Sequence, residues 1–341
     1  MLLHADLGVV RGAKARSMNI ASKIPKLLAK VMTSAALLAF ALRGVDIRSV
    51  KAQLAQADPA TVAIAIALTT AISVAHAQRW RIVLDCLGWT LRFSAAVRLV
   101  LIGYFFNQTL PSIVGGDAFR AWGAYRNDIG ASAAVSSVII DRVLALASLL
   151  LMITIGLPWL FDLITVPLDR WIVLFVLVGA TFSIACLLGL GRFATTLQRW
   201  RVTRLLIPVG TAAHTVFGNP RTSGQAVFLT VIAYAGASYV VHLLARGIAV
   251  DLGLGNSLLL IPLVTLVTVL LISIAGWGLR ESAMVVALGL VGVPAIAAFS
   301  LSVLYGLVVM AAGLPGGFIW LATWRPEPRA HSARTAPPSH S

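Results

Sequence analysis

Apolar runs recur along this chain at residues 27–42, 60–77, 135–157, 171–190, 225–244, 257–275 and 294–321. A helix needs roughly 20 apolar residues to cross the hydrocarbon of a bilayer, so each run approaches or exceeds a span. Composition agrees: 59% of the residues are apolar and 11% charged, too few polar groups to cover a soluble domain of 341 residues. The expected class is an all-α polytopic membrane protein. The formal charge of +15 would suggest nucleic acid in a soluble chain. Here Lys and Arg fall at the ends of apolar runs, where anionic lipid headgroups attract them, so the expected partners are membrane lipids and not nucleic acid. Cys86 and Cys186 form neither a disulfide framework nor a metal-binding spacing, and no cofactor is expected.

Residues 1–26 are basic and precede an apolar run with no small-residue cleavage site, which reads as an anchor rather than a removed signal. The chain therefore divides into a basic N-terminal segment (1–26), a membrane domain (27–324) and a disordered tail (325–341). Basic residues stay on the cytoplasmic side of spans, which places both termini and the 192–221 loop there. Arg43, Arg48 and Lys51 fit this poorly, because strict alternation puts them outside.

Two runs are interrupted. The first, Ser94–Ala124, contains Pro111, Gly115 and Gly116, and the helix-end charges Arg79, Arg81 and Arg92 before it and Arg126 after it are all expected on the cytoplasmic side. Between Ser257 and Val293 the chain is broken at Gly276 and Gly278. Both are expected to enter and return, giving about six full transmembrane helices plus two re-entrant or broken helix pairs entering from opposite faces. Interrupted segments in corresponding halves point to an inverted repeat with a binding site near the midplane.

Charges inside apolar runs usually mark a substrate or ion pathway. Three such groups occur: Gly115-Gly116-Asp117-Ala118-Phe119-Arg120, Asp141-Arg142 and Gly276-Trp277-Gly278-Leu279-Arg280-Glu281. A helix N-terminus freed at Gly115 and Gly116 would present N–H donors to a phosphate, and Arg120 could grip it with two prongs. Alternatively, Gly-Gly-Asp is a turn with a helix cap. Asp117 could neutralise Arg120 while the site is empty. Adjacent helical positions diverge by about 100°, so Asp141 and Arg142 each need a partner on another element. Arg142 is the candidate second phosphate ligand, and Asp141 a partner of Arg120 or Arg280. Glu281, one of two Glu residues, could carry protons or balance an Arg. Ser238 with His242, and Gly313 with Gly317, read as packing. Trp159, Trp171, Trp320 and Trp324 are interface anchors.

The run from Asn107 through Pro111, Gly115-Gly116-Asp117 and Arg120, then Asp141-Arg142, Gly276-Trp277-Gly278-Leu279-Arg280-Glu281 and Leu314-Pro315-Gly316-Gly317, resembles the lysylphosphatidylglycerol synthase transmembrane-region family, also called flippase-like proteins. The resemblance covers roughly residues 25–324. It implies a bacterial or archaeal plasma-membrane protein that translocates lipids between leaflets. The lysyl-transferring domain of full-length synthases is not expected, since the chain ends about 20 residues after its last span. Asp141 stands where many relatives carry Glu, which keeps the acidic role.

The leading expectation is a translocase of a phospholipid or polyprenyl- or glycolipid-type anionic lipid. Its headgroup would be bound by Arg120, Arg142, Arg280, Gly115 and Gly116, supported by Asp117, Asp141, Glu281 and Asn107. A second class is a membrane enzyme, or the membrane subunit of a lipid-linked sugar, hopanoid or lipid-modification pathway, with Asp117, Asp141 or Glu281 as general base. A third is a scaffold for a lipid-modifying enzyme.

Overall fold

A computed structural model describes residues 47–109, 115–164, 166–192, 201–269 and 278–323. The expected first span (27–42), both terminal segments, Pro111, Gly276, Trp277 and Trp324 lie outside the described residues. The described elements are all helices: α1 Ile47–Ala55, α2 Pro59–Cys86, α3 Phe93–Thr109, α4 Gly116–Tyr125, α5 Ala131–Leu163, α6 Pro167–Arg192, α7 Arg201–Phe217, α8 Pro220–Gly247, α9 Leu254–Val269, α10 Leu279–Gly289 and α11 Ala295–Thr323. Among them α2, α5, α8 and α11 are long and apolar enough to cross a membrane, while α6 and α9 hold shorter apolar stretches. Five of the six expected full crossings thus fall on helices.

The order long, half, half, long occurs twice. Helices α2 to α5 have 28, 17, 10 and 33 residues, and α8 to α11 have 28, 16, 11 and 29. Both series begin alike. Asp58 precedes Pro59 and accepts the N–H groups of Ala60 and Thr61, and Asn219 precedes Pro220 and accepts the N–H of Thr222. A short oxygen-bearing cap followed by Pro is a strong helix start, because the cap satisfies free donors and Pro presets φ. Buried Thr69 donates to Ala65 O at 2.7 Å in α2, and buried Thr230 donates to Ala226 O at 2.6 Å at the matching place in α8.

The halves also pack as counterparts. Helix α2 lies along α8; α3 packs on α11 as α9 packs on α5; α4 packs on α5 as α10 packs on α11. Direction follows from the contacts between α2 and α8. Asp58 N–H donates to Gly247 O at 3.3 Å, Ile72 meets Gly236, and Arg79 reaches Thr230. Residue numbers rise in one helix as they fall in the other, so the two halves run in opposite senses. This is the inverted arrangement that the paired interruptions suggested.

Each broken segment doubles back. Along α3 and α4, Gly103 touches Gly116 while Leu99 touches Gly123, which is an antiparallel hairpin. Small residues make such close approach feasible where lipid supplies no hydrophobic drive. A Cβ on Gly116 would collide with the Gly103 backbone, and one on Gly316 of α11 with the Leu101 carbonyl of α3. Gly313 and Gly317 flank that second contact and are packing residues, as expected. Ser238 donates to the Tyr234 carbonyl and His242 to that of Leu252, so this pair too is structural.

Candidate functional site

The α3–α4 hairpin brings Arg120 towards α2 and α5. Asp141 is fully buried there and takes two guanidinium groups: Arg79 Nε at 2.7 Å and Arg120 Nη2 at 2.9 Å. Arg79 also donates to Thr230 on α8 at 3.1 Å. Arg120 lies over the Trp80 ring, 4.5 Å from its centre, and Trp80 itself donates to Ser137 at 3.1 Å. Burying a charge in hydrocarbon is tolerated only with such partners.

A second pair lies at the edge. Arg142 donates twice to Asp117, Nε at 2.7 Å and Nη2 at 2.9 Å, and Arg120 approaches the same carboxylate at 3.5 Å. Unlike the inner group, these side chains are open, 54% exposed for Arg142 and 37% for Asp117. Asp141 and Arg142 thus turn to different partners, as their helical divergence requires. Three guanidinium groups face two carboxylates, leaving one positive charge in excess among the described residues. Arg120 Nε is buried with no hydrogen-bond partner among them.

Local structure explains the tip of the hairpin. Gly115 caps α4 and, having no side chain, leaves the Gly116 N–H to be taken by Asn107 Oδ1 of α3 at 2.8 Å. Asp117 stands in the first turn, where the helix dipole favours an anion. Gly116 gives close approach to Gly103 of the neighbouring helix, and its donor is engaged by Asn107.

In the second half, Arg280 and Glu281 bond to each other, Nη2 to Oε1 at 2.6 Å and Nε at 3.2 Å. The other carboxylate oxygen turns back to the N–H of Gly278, which has φ +86, a conformation glycine adopts without strain. Only this half of a capping box exists, since Gly278 has no side chain. Ser302 of α11 approaches Glu281 at 3.5 Å. Arg280 is packed so tightly beneath Gly306 that a Cβ there would strike its guanidinium.

The structure brings Asp117, Arg120, Asp141 and Arg142 into one cluster and leaves Arg280–Glu281 as a separate pair on the opposite hairpin. Depths can be compared. Asp141 lies ten residues inside the start of α5. Arg280 lies nine residues inside the end of α10, so at 1.5 Å per residue each is ~14–15 Å from its end of the bundle, near the middle of ~30 Å of hydrocarbon. Sequence reasoning missed Arg79 by treating it, with Arg81 and Arg92, as a charge that marks the helix end. Its spacing from Ala65, Thr69 and Ser73, which are buried along α2, is the signal that separates it from Arg81.

Residues 27–317 match the family described as "Lysylphosphatidylglycerol synthase TM region". A UPF0104 membrane protein of Methanocaldococcus jannaschii is 36% identical over 89 residues, 26% of each chain, so the chain matches only about a quarter of that relative's length. With the family's region covering most of its length and four of its helices long and apolar enough to cross a membrane, the chain belongs to the lysylphosphatidylglycerol synthase transmembrane-region family of multi-pass membrane proteins.

Proposed function

We propose that this protein moves an anionic lipid between leaflets, holding the headgroup phosphate at Arg142 and Arg120 while the acyl chains stay in the bilayer. The observation that carries this is the exposed, two-pronged Arg142–Asp117 pair at the rim of a cluster with one excess positive charge. Two oxygens of a phosphate can accept both prongs of a guanidinium as a carboxylate does, so a phosphate can replace Asp117 as the partner of Arg142. The unpartnered Nε of Arg120 supplies a further donor. Phe119 and Trp122, with ring centres 5.4 Å apart, lie on α4 beside Asp117 and Arg120 and offer an aromatic surface for the lipid body.

Membership in a lipid-related membrane family and a pair of half-length helices in each of two inverted halves support the reading. The enzyme reading is weaker on this geometry. Each candidate base, Asp117, Asp141 and Glu281, is already engaged by one or two guanidinium groups, so none presents a free carboxylate to a reacting hydroxyl.

The test is leaflet-resolved transfer in vesicles containing only the purified protein. Labelled phosphatidylglycerol should exchange between leaflets faster than labelled phosphatidylcholine. Equal, protein-independent rates for both would rule the reading out.

A further inference from the structure

Two cavities lie between the Arg120 cluster and the Arg280–Glu281 pair. One, of about 120 Å³, is lined by Thr69, His76, Tyr104, Tyr234, Thr265 and Tyr305. The other, of about 190 Å³, is lined by Tyr104, Gln108, Thr265, Thr268, Arg280 and Tyr305. Tyr104, Thr265 and Tyr305 are walls of both, so the two adjoin. At roughly 30 Å³ per water, they have room for ~4 and ~6 waters.

Their polar lining is incompletely used by the protein. Among the described residues, the His76 ring, the Tyr104 and Tyr305 hydroxyls and the Gln108 amide make no hydrogen bond. Polar groups at membrane depth need partners, and these four reach theirs only inside the cavities. Charge brackets the lining. His76 is within Coulombic reach of Arg79, Asp141, Arg142 and Arg120, and Tyr104 is within reach of both Arg142 and Arg280.

We infer that these cavities are the headgroup's route across the midplane: a phosphate passes from Arg120 and Arg142 to Arg280, with His76, Tyr104, Tyr305 and Gln108 as its hydrogen-bonding wall. The inference rests on the translocase reading and adds to it a second anion station and the residues between the stations. Tyr104 stands on α3 and Tyr305 on α11, on either side of the shared wall. Both volumes are small, so passage requires α3 to shift against α11 across the glycine contact at Gly313 and Gly316.

The route is tested with the full chain in vesicles holding labelled phosphatidylglycerol. Tyr104→Phe combined with Tyr305→Phe keeps both rings and removes both hydroxyls. Each lost hydrogen bond corresponds to about fivefold, so transfer should slow about 25-fold. Binding of soluble dihexanoyl-phosphatidylglycerol, measured by calorimetry, should persist, because Arg120 and Arg142 are intact. A second measurement does not depend on activity. In protein with Cys86→Ser and Cys186→Ser, Thr265→Cys should react with a charged, water-soluble methanethiosulfonate, and the short-chain lipid should slow that reaction. Wild-type transfer together with wild-type rates in the double Tyr variant would overturn the route alone. So would a folded Thr265→Cys protein that never reacts. If His76→Gln abolishes proton flux while lipid transfer persists, the cavities carry protons and the route is wrong. Wild-type protein that moves no lipid would remove the translocase reading, and the route with it.

Discussion

The two re-entrant hairpins share a plan and differ in how they hold charge. In the first, the partners come from α2, α4 and α5, at separations of 62, 21 and 25 residues for Arg79–Asp141, Arg120–Asp141 and Asp117–Arg142. The second keeps Arg280 and Glu281 as chain neighbours, and Glu281 also caps its own helix at Gly278. One group therefore depends on how three helices are docked and carries an excess positive charge. The other is neutral and is set mainly by a single helical turn. Relative movement of helices can open the first without disturbing the second, which suits the proposed exchange of Asp117 for a phosphate.

Replacing Asp141 should break this contrast most severely. Asp141→Asn strands two buried guanidinium groups, and losing a buried partner typically costs about 3–5 kcal/mol. By contrast, Asp117→Asn touches an exposed pair and should cost about 0–1 kcal/mol. Thermal or denaturant unfolding in detergent compares the two, and equal losses would mean that the inner and outer pairs are not distinct.

Next comes packing at the hairpin tips. Gly116→Ala puts a methyl group into the Gly103 backbone, which cannot move aside, and overpacking of this kind costs about 1–3 kcal/mol. Gly306→Ala in the second half meets only the end of the Arg280 side chain and should be milder. A reversed order in unfolding measurements would show that Arg280 is more rigidly held than its contacts suggest.

Smaller still is the cap on α4. Asn107→Ala removes the acceptor of the Gly116 N–H and should cost about 1 kcal/mol, whereas α10 needs no outside cap because Glu281 provides one. Melting temperatures of Asn107→Ala and Asn107→Asp read this directly, with the Asp variant expected to recover most of the loss.

The mildest effect concerns the start of α2. The Thr61 hydroxyl, with the backbone N–H groups of Thr61 and Ala60, holds the Asp58 carboxyl below its ordinary range. A lowered folded-state value means that the stabilisation is present above the usual carboxylate range and fades as pH falls through the lowered one. Stability of wild type and Asp58→Asn should therefore converge in acid and separate towards neutral pH. A constant difference would assign the cap another role.

Much of the architecture is written locally and so is legible in the chain. Apolar runs place α2, α5, α6, α8 and α11, and Gly115, Gly116 and Gly278 mark where the chain breaks. That Asp141 and Arg142 must look to different elements follows from helical geometry alone. The same geometry does not carry over to Arg280 and Glu281, because in the first turn a Glu can fold back towards the helix start and bring its neighbour with it. What escapes a local reading is the role of residues whose partners are distant in the chain. Arg79 looks like one of several charges at a helix end until α5 and α8 are placed around it. The internal symmetry hides for a related reason: it rests on Asp58-Pro59 against Asn219-Pro220 and on buried Ala65 and Thr69 against Ala226 and Thr230, too few positions to stand out without packing.

The central claim is that guanidinium groups at the open rim grip a phosphate, and one comparison addresses it most directly. Transfer of labelled phosphatidylglycerol is measured for Arg120→Lys and Arg142→Lys beside the corresponding Ala variants, corrected for folded protein. Because Lys keeps the charge and loses the planar two-pronged donor, the Lys variants should lose nearly as much transfer as the Ala variants. Full activity in both Lys variants, together with total loss in Asp141→Asn or Glu281→Gln, would contradict the account and point instead to carboxylates that handle protons or act as a base.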